Sequence, residues 1–497
     1  MSTSRIYNGT TDQTGEKEPG PRAQKKTQKL KKVVTLPTAG LESFPFTDMG
    51  NGERMAHFHG DTIRHCHPWK EWLVWDGQRW AVDQRARVLV KAKELTREMF
   101  KRGSAIEDPI LRDSFLGLAR ATEKAARTNS MLYFAAAQPG IPVMPDELDA
   151  DPWLLNVQNG TLNLNTGELQ KHNPDDLITK LAPAAYNPDA RCPQWELFQR
   201  QIMADDQDVI AFKQRAIGYS LTGLAVEKRA LFIYHGKGNN GKSTEAETLR
   251  AMLGDYAGQI RVESLMEQRH RDGSAPSPDI ADLRGLRYVT ASEPKEGARL
   301  EESTVKHLTS MSRIKARQLH AGNFEFPQTW KLFLDCNEKP VITGTDDGIW
   351  SRIALIPFTV QVGDGCELPI DPDLPDKLRG ELPGILAWAV RGCMEWYKRR
   401  LKLLPKAVEE ATKEYRLEQD IFGRFLSQKC SCGRVCTAMS SELYSAYENW
   451  LKTQHETGKE KPISVTAFGL LLRKRGFTKV PTAQGIRWDG VALASEL

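Results

Sequence analysis

The stretch RALFIYHGKGNNGKST, residues 229–244, decides the fold of the central part of this chain. Its apolar run at 230–234 predicts a buried strand, and the glycine-rich segment 236–243 and an apolar pattern at helical spacing follow it. Glycines let backbone N–H groups point at phosphate oxygens, and the start of a helix favours negative charge. The stretch therefore predicts a phosphate-binding P-loop in an α/β core. We expect the nucleotide to contact the following loop residues: Gly236, Gly238, Asn239, Asn240, Gly241, Lys242, Ser243 and Thr244.

The residues that follow the loop suggest how ATP is held and hydrolysed. We expect Lys242 to bridge the β- and γ-phosphates and Ser243 to hold Mg²⁺. About fifty residues on, LRYVTASEP (286–294) predicts a second strand, whose apolar residues up to Ala291 precede Ser292 and Glu293. Many P-loop ATPases carry two adjacent acids at this point, but the first position here is a serine. We therefore expect Glu293 to coordinate Mg²⁺ and to activate the attacking water.

Two further motifs complete the expected catalytic set. A third strand is predicted at WKLFLDCN (330–337), and it ends at Asn337, whose amide can sense the γ-phosphate and orient the attacking water. Arg352 comes directly before another predicted apolar strand, at 353–358. We expect Arg352 to stabilise transition-state charge in a neighbouring subunit's site, and a surface salt bridge is the alternative role for it.

The order of these motifs over 236–358 resembles the superfamily 3 helicases, and within them the D5-like and phage P4 alpha-like replication helicases of viruses, phages and mobile elements. The resemblance covers about 150–365 and extends more loosely to both flanks. It implies an AAA+ core that uses ATP and Mg²⁺. It also implies a homo-hexameric ring that moves along single-stranded DNA with 3′ to 5′ polarity.

The resemblance further implies a hairpin between Glu293 and Asn337 that grips single-stranded DNA in the ring channel. Residues 305–331 match it in outline, with Ser310-Met311-Ser312 where many relatives carry Gly-Gly-Asp or Gly-Asp. Alternate positions of a strand share one face, as a surface that tracks a nucleic-acid backbone requires. The alternative is a solvated basic face. The expected DNA contacts are Arg313, Lys315, Arg317 and, at the tip, His320.

The C-terminal part suggests a second DNA-binding element. An amphipathic helix is predicted at 440–454 and a second helix at 464–476, with Ser464 as N-cap and Gly476 as its stop. A hairpin follows, and the order resembles a winged-helix domain like the one that ends many D5-like proteins. A domain that docks on the ring or on a partner is the alternative. The basic residues expected to contact phosphates or duplex origin DNA are Arg473, Lys474, Arg475, Lys479 and Arg487.

These patterns predict an α/β protein with five parts. They are a disordered basic tail (1–43), a D5 N-like α+β domain (44–193), the AAA+ core with preceding helices (194–365), a helical linker (366–428) and a winged-helix-like domain (429–497). The α+β part carries predicted hairpins at 71–80 and 157–172 and helices over 84–137. Two groups lack the spacing of a familiar zinc module, and we expect the cysteines of the second to lie in a loop: His57, His59, His65, Cys66 and His67, and Cys430, Cys432 and Cys436.

Composition limits the class of protein. The 497 residues include 69 Lys and Arg against 64 Asp and Glu, so the net charge of +5 excludes a polycation but permits local basic surfaces. Eight cysteines are too sparse for a disulfide scaffold, and no apolar run approaches the ~20 residues of a membrane span. These features, with a polar N-terminus, predict a cytoplasmic protein without a membrane partner.

The leading hypothesis is therefore an ATP-dependent ring helicase that replicates a phage or mobile element. Fewer than 150 residues precede the helicase-like segment, and we expect part of them to be disordered. We therefore expect no primase domain in this chain and expect a separate primase or loader as a partner. An origin-binding initiator that uses ATP as an assembly switch is the first alternative. A DNA-packaging ATPase is the second, and the order of Asn337 and Arg352 argues against it.

Overall fold

The computed structural model describes residues 40–268, 278–317, 323–344, 346–363, 365–366, 368–454 and 462–494. The chain separates into two compact units, Met1–Gly60 with Leu89–Pro142, and Asp61–Val88 with Val143–Leu497. Over the described ranges, no helix combines the length and the apolarity needed to cross a bilayer. The domain boundaries given above stay predictions.

The first unit is helical where it is described. Its helices are α1 (Asp48–His59), α2 (Arg87–Ser104, with its first two residues in the second unit), α3 (Pro109–Thr122) and α4 (Ala125–Ala135), which confirms the helices predicted over 84–137. The buried Arg54 guanidinium donates hydrogen bonds to the carbonyl oxygens of Leu41, Phe44 and Pro45. Arg54 thereby fixes the segment that leads into α1.

The second unit begins with two small antiparallel sheets. The first has β1 (Ile63–Cys66), β2 (Glu71–Trp75) and β3 (Trp80–Val82), and the second has β4 (Leu154–Val157), β5 (Gly160–Asn163) and β6 (Glu168–Gln170). Both predicted hairpins are confirmed. The buried Asn156 joins these sheets, because its amide donates to the carbonyl oxygens of Gln78 and Lys180.

A five-stranded parallel sheet forms the centre of the second unit. Its strands are β7 (Leu231–His235), β8 (Ala257–Gln259), β9 (Tyr288–Ser292), β12 (Lys331–Cys336) and β13 (Ile353–Pro357), in the spatial order β13-β7-β12-β9-β8. A two-stranded antiparallel ribbon, β10 (Arg313–Arg317) with β11 (Asn323–Pro327), lies in sequence between β9 and β12. The apolar runs predicted as strands at 230–234, 286–291, 330–337 and 353–358 are confirmed as the buried strands of a parallel sheet.

Side chains of the central sheet alternate between two apolar cores. Phe232, Tyr234 and Phe333 belong to the core that includes the surrounding helices, while Ile233 and Leu334 belong to the core on the other face. The helices of this region are α5 (Pro193–Ile202), α6 (Gln207–Ser220), α7 (Lys242–Leu253), α8 (Pro278–Ala281), α9 (Glu302–Leu308), α10 (Asp347–Trp350), α11 (Leu374–Gly380), α12 (Leu382–Arg399) and α13 (Lys406–Gln419).

The C-terminal part has its own core of aromatic and aliphatic side chains, which includes Phe425, Tyr447, Phe468 and Trp488. Ser464 accepts a hydrogen bond from the backbone of Ala467, so the predicted N-cap is confirmed. In chain order the elements are α14 (Ile421–Lys429), β14 (Cys430–Met439), α15 (Ser440–Gln454), α16 (Val465–Lys474), β15 (Thr478–Thr482) and β16 (Gly485–Leu493), with the sheet order β14-β16-β15.

The expectation that Cys430, Cys432 and Cys436 lie in a loop is wrong, because all three are part of β14. This strand pairs with β16 and is irregular between Cys432 and Thr437. Most of its side chains are exposed, so the apolar alternation that marks a strand in sequence is missing. Among the described residues, no group of three or more His, Cys, Asp or Glu side chains is arranged to hold a metal ion.

Candidate nucleotide site

The glycine-rich segment forms a tight loop between β7 and α7. Gly241 precedes α7 with a φ of +85°, a backbone conformation that glycine adopts without a steric penalty. A side chain at Gly241 would lie 2.7 Å from Ile202 and 3.0 Å from Phe198. One at Gly236 would lie 2.2 Å from the carbonyl oxygen of Phe358. Glycine is therefore required at both ends of the loop, and the backbone at both ends packs closely against the core.

Lys242, the first residue of α7, lies at the centre of the candidate site. Its ammonium is buried and donates to the carbonyl oxygen of Gly236 at 2.6 Å, to Oδ1 of Asn240 at 3.0 Å and to Oδ1 of Asn337 at 3.2 Å. Burial lowers the pKa of Lys242, while the negative charge of Asp335, and more weakly that of Glu293, acts in the opposite direction. The structure thus brings together the loop lysine and the strand-end asparagine that the motifs single out.

Glu293 comes directly after β9, at the same edge of the sheet. Its backbone has a φ of +57°, which is uncommon for a residue with a side chain, and its N–H donates to the carbonyl oxygen of Asp335 at 2.9 Å. Its side chain is exposed, and its charge acts on the Lys242 ammonium. The strained backbone therefore holds an accessible carboxylate beside the glycine loop.

Asp335 is a site residue that the sequence reasoning missed. It is the next-to-last residue of β12, and it lies opposite Tyr234 of β7 and Ser292 of β9. It is only 7% exposed, and burial raises its pKa to about 7, an effect that the charge of Glu245 increases and that of Lys242 opposes. A lone carboxylate in the apolar run LFLDC was the signal that could have revealed it.

A buried polar network below the loop was also missed. Nζ of Lys213, on α6, lies 2.7 Å from the Glu245 carboxylate on α7, and both side chains are fully buried. Gln199 donates to the same carboxylate at 3.3 Å and accepts from Lys213 at 2.9 Å, while the Tyr234 hydroxyl donates to Glu245 at 3.2 Å. The network fixes the first turn of α7, which carries Lys242, against α5, α6 and β7.

Arg352 lies at the amino ends of the strands, opposite the edge of the sheet that carries the glycine loop. Its carbonyl oxygen accepts hydrogen bonds from Ala230 and Leu231, at the start of β7, whereas the glycine loop follows the end of β7. The length of β7, about 13 Å at ~3.3 Å per residue, separates the two edges. The Arg352 guanidinium donates to the carbonyl oxygen of Gly348. Within one chain Arg352 is thus remote from Lys242, and its role in a neighbouring subunit's site stays a prediction.

The ribbon β10–β11 carries the basic residues expected to contact single-stranded DNA. Arg313, Lys315 and Arg317 are exposed, and the intervening Ile314 and Ala316 are buried, so the predicted sharing of one face is confirmed. The Arg313 guanidinium lies 4.0 Å from the carboxylate of Glu325 on β11, which partly offsets the positive charge of the face. The predicted tip residue His320 lies outside the described residues.

The predicted basic residues of the C-terminal part are exposed or form ion pairs. Arg473 and Lys474, in the last turn of α16, are exposed. Arg475 forms an ion pair with Asp420, and Arg487 pairs with Asp489 at 2.8 Å. Lys479 of β15 is exposed as well.

Comparisons with known proteins identify the relatives of this chain. A family model described as "D5 N terminal like" matches residues 52–204. A protein of Acanthamoeba polyphaga mimivirus named "Putative helicase" is 29% identical over 334 residues, covering 63% of this chain and 34% of the viral protein. A "Putative helicase" of Frog virus 3 is 28% identical over 309 residues, covering 59% of this chain and 31% of that protein. A "Putative primase" of African swine fever virus is 23% identical over 326 residues, covering 62% and 34%.

The chain spans about a third of the length of these curated relatives. Among solved structures, "The A form apo structure of NrS-1 C terminal region-CTR" aligns with 87% of this chain and 96% of its own, at 10% identity and a TM-score of 0.47. The family model and the viral sequences confirm the resemblance to D5-like replication helicases that the motifs predicted.

Proposed function

We propose that this chain is an ATP-dependent DNA helicase of superfamily 3, with an AAA+ core, that acts in the replication of a viral, phage or mobile genome. The observation that carries the proposal is the position of Lys242, whose ammonium joins the loop carbonyl of Gly236 to the amide of Asn337. Loop and amide meet at the carboxyl edge of a parallel sheet, where open α/β folds bind their ligands. The viral relatives named helicase and primase support the same class of activity.

The residues at the carboxyl edge of the sheet fit a nucleoside triphosphate with Mg²⁺. The loop backbone and the start of α7 offer N–H groups and positive charge to phosphates, and Lys242 adds a full charge. Ser243 and Glu293 are the residues that would hold Mg²⁺, which when bound neutralises charge on the phosphate oxygens. Asn337 would orient the attacking water and Glu293 would accept its proton. The water oxygen then bonds to the γ-phosphorus as the bond from that phosphorus to the β,γ-bridging oxygen breaks and ADP leaves.

The remoteness of Arg352 supports a shared active site. Its carbonyl hydrogen bonds keep it at the start of β7, on the far side of the sheet from its own Lys242. An arginine finger at that edge is suited to the nucleotide of an adjacent subunit in a homo-hexameric ring. The exposed side chains of Arg313, Lys315 and Arg317 then contact single-stranded DNA in the channel, and hydrolysis moves the ring with 3′ to 5′ polarity.

The C-terminal elements support a winged-helix domain. From α14 to β16 the chain order is helix, strand, two helices and a hairpin. The three strands form one sheet in the order β14-β16-β15, and these elements share one apolar core. The exposed Arg473, Lys474 and Lys479 would contact phosphates of duplex origin DNA. A separate primase or loader is the further partner that we propose.

The test is the rate of ATP hydrolysis by the full chain with and without single-stranded DNA. We expect DNA to stimulate hydrolysis and Lys242→Ala to abolish it, because no other cation in the described loop reaches Gly236 and Asn337. Lys406→Ala is the matched control, since Lys406 is an exposed lysine of α13. Hydrolysis at the wild-type rate by Lys242→Ala would overturn the assignment of the site.

A further inference from the structure

The candidate site lacks a carboxylate at the end of β9, where many P-loop ATPases carry one. β9 ends at Ser292, and the next residue, Glu293, is exposed. In the parallel pairing of β9 with β12, Ser292 lies directly opposite Asp335. Residues that lie opposite one another in a sheet share a face. Asp335 therefore presents a carboxylate on the same face of the sheet, one strand away from the position of the missing acid.

That face is the one beneath the glycine loop. Phe333, two residues before Asp335, stacks on Phe232 and contacts Tyr234 and Tyr288, all members of the core that includes Leu249 of α7. Asp335 continues this row toward the loop, and its charge acts on Lys242. The Asp335 carboxylate is thus buried beside the N-terminus of α7, whose first two residues are Lys242 and Ser243.

The Asp335 carboxylate has no donor of its own. It is 93% buried, and within the described ranges no side chain or backbone group forms a hydrogen bond or an ion pair with it. Glu245, the other buried carboxylate nearby, differs in this respect, since Lys213, Gln199 and Tyr234 all bind it. A buried carboxylate without a partner is costly, and such a group at a ligand site indicates that the ligand supplies the partner.

We infer that Asp335 takes the place of the missing β9 acid and positions hydrated Mg²⁺ beside Ser243. The inference rests on the proposed function and adds to it a residue from β12. In this arrangement β12, which pairs with β7, carries Asp335, and Asn337 follows directly after it. Asp335 holds a water ligand of the metal, and Asn337 holds the attacking water. Glu293 is then available to act as the base.

The experiment measures metal and nucleotide binding by the full chain, without turnover. The affinity of the ADP-bound chain for Mn²⁺ is measured by electron paramagnetic resonance, and the affinity for a fluorescent ADP analogue is measured separately in EDTA. We expect Asp335→Asn to weaken Mn²⁺ binding ~10- to 100-fold and to leave the affinity in EDTA unchanged. A merely structural role would alter both affinities together.

An exchange of the two opposite residues gives the second arm. Asp335→Ser alone should lose Mn²⁺ affinity, and the double variant Asp335→Ser with Ser292→Asp should regain it, because the carboxylate returns to the same face from β9. Wild-type Mn²⁺ affinity in Asp335→Asn, or a double variant no better than Asp335→Ser, would overturn the inference alone. A wild-type chain that binds no nucleotide would overturn the proposed function and the inference with it.

Discussion

At the scale of single residues, Glu245 shows how the chain secures its loop lysine. Glu245 lies three residues after Lys242, and its carboxylate is fully buried with Lys213 at 2.7 Å. Taking two charges out of water is expensive, but removing one partner leaves the other charged and unpaired in the interior. The net contribution of the pair to the free energy of folding is therefore small, but the loss of either partner strongly destabilises the core.

Glu245→Gln should lower the free energy of unfolding of the core by about 3–5 kcal/mol, because the Lys213 ammonium loses its counter-charge. Glu410→Gln is the matched control, since Glu410 forms an exposed pair with Lys406 at 3.8 Å and should cost no more than about 0.5 kcal/mol. The measurement is the urea midpoint followed by tryptophan fluorescence. Equal midpoints for the two variants would contradict this account of the network.

At the scale of elements, the ribbon β10–β11 is built to display charge. Its buried Ile314 and Ala316 attach it to the core, and its exposed positions are Arg313, Lys315 and Arg317. Lys315 lies opposite Glu325, whose carboxylate is also near Arg313. The face is therefore only partly neutralised.

We expect Lys315→Ala to weaken binding of single-stranded DNA and to reduce the slope of log affinity against log salt by ~0.7, because one phosphate contact is lost. Fluorescence anisotropy at several salt concentrations measures both quantities. Lys406→Ala, on the exposed face of α13, should change neither. An unchanged slope in Lys315→Ala would remove this residue from the DNA-contacting surface.

The strands show which parts of this fold can be predicted from the sequence. The strands β7, β9, β12 and β13 are continuous apolar runs, so local composition reveals them. β14 could not be found in this way, because it is mostly exposed and its partner β16 lies about fifty residues further along the chain.

The candidate site likewise contains residues that the sequence predicts and residues that only the folded structure reveals. The meeting of Lys242 with Asn337 follows from two motifs at strand ends, and the structure brings these side chains together. The roles of Asp335 and of the Lys213–Glu245 pair depend on strand register and burial, which are properties of the folded chain. The lone carboxylate in the apolar run LFLDC marks Asp335 as unusual, but no local pattern shows which residues lie opposite it or that Lys213 meets Glu245.

At the scale of the whole molecule, the position of Arg352 supports the proposed active site shared between two subunits. Arg352 and Lys242 lie at opposite edges of the same sheet. An active site that needs both must therefore take them from different subunits.

Arg352→Ala should bind nucleotide but not hydrolyse it, and Lys242→Ala should also be inactive. When the two inactive variants are mixed, some interfaces combine the intact Lys242 of one subunit with the intact Arg352 of its neighbour. We expect such mixtures to recover a fraction of the wild-type ATPase rate. Wild-type turnover by Arg352→Ala alone, or mixtures as inactive as their components, would exclude the shared site.

The most direct test of the central claim is unwinding of a forked DNA duplex with a 3′ or a 5′ single-stranded tail, in the presence of ATP and Mg²⁺. We expect the wild-type chain to separate the strands when a 3′ tail is present and Lys242→Ala to leave them paired. ATP hydrolysis by the wild-type chain without separation of either fork would contradict the helicase assignment. That result would favour an initiator that uses ATP as an assembly switch.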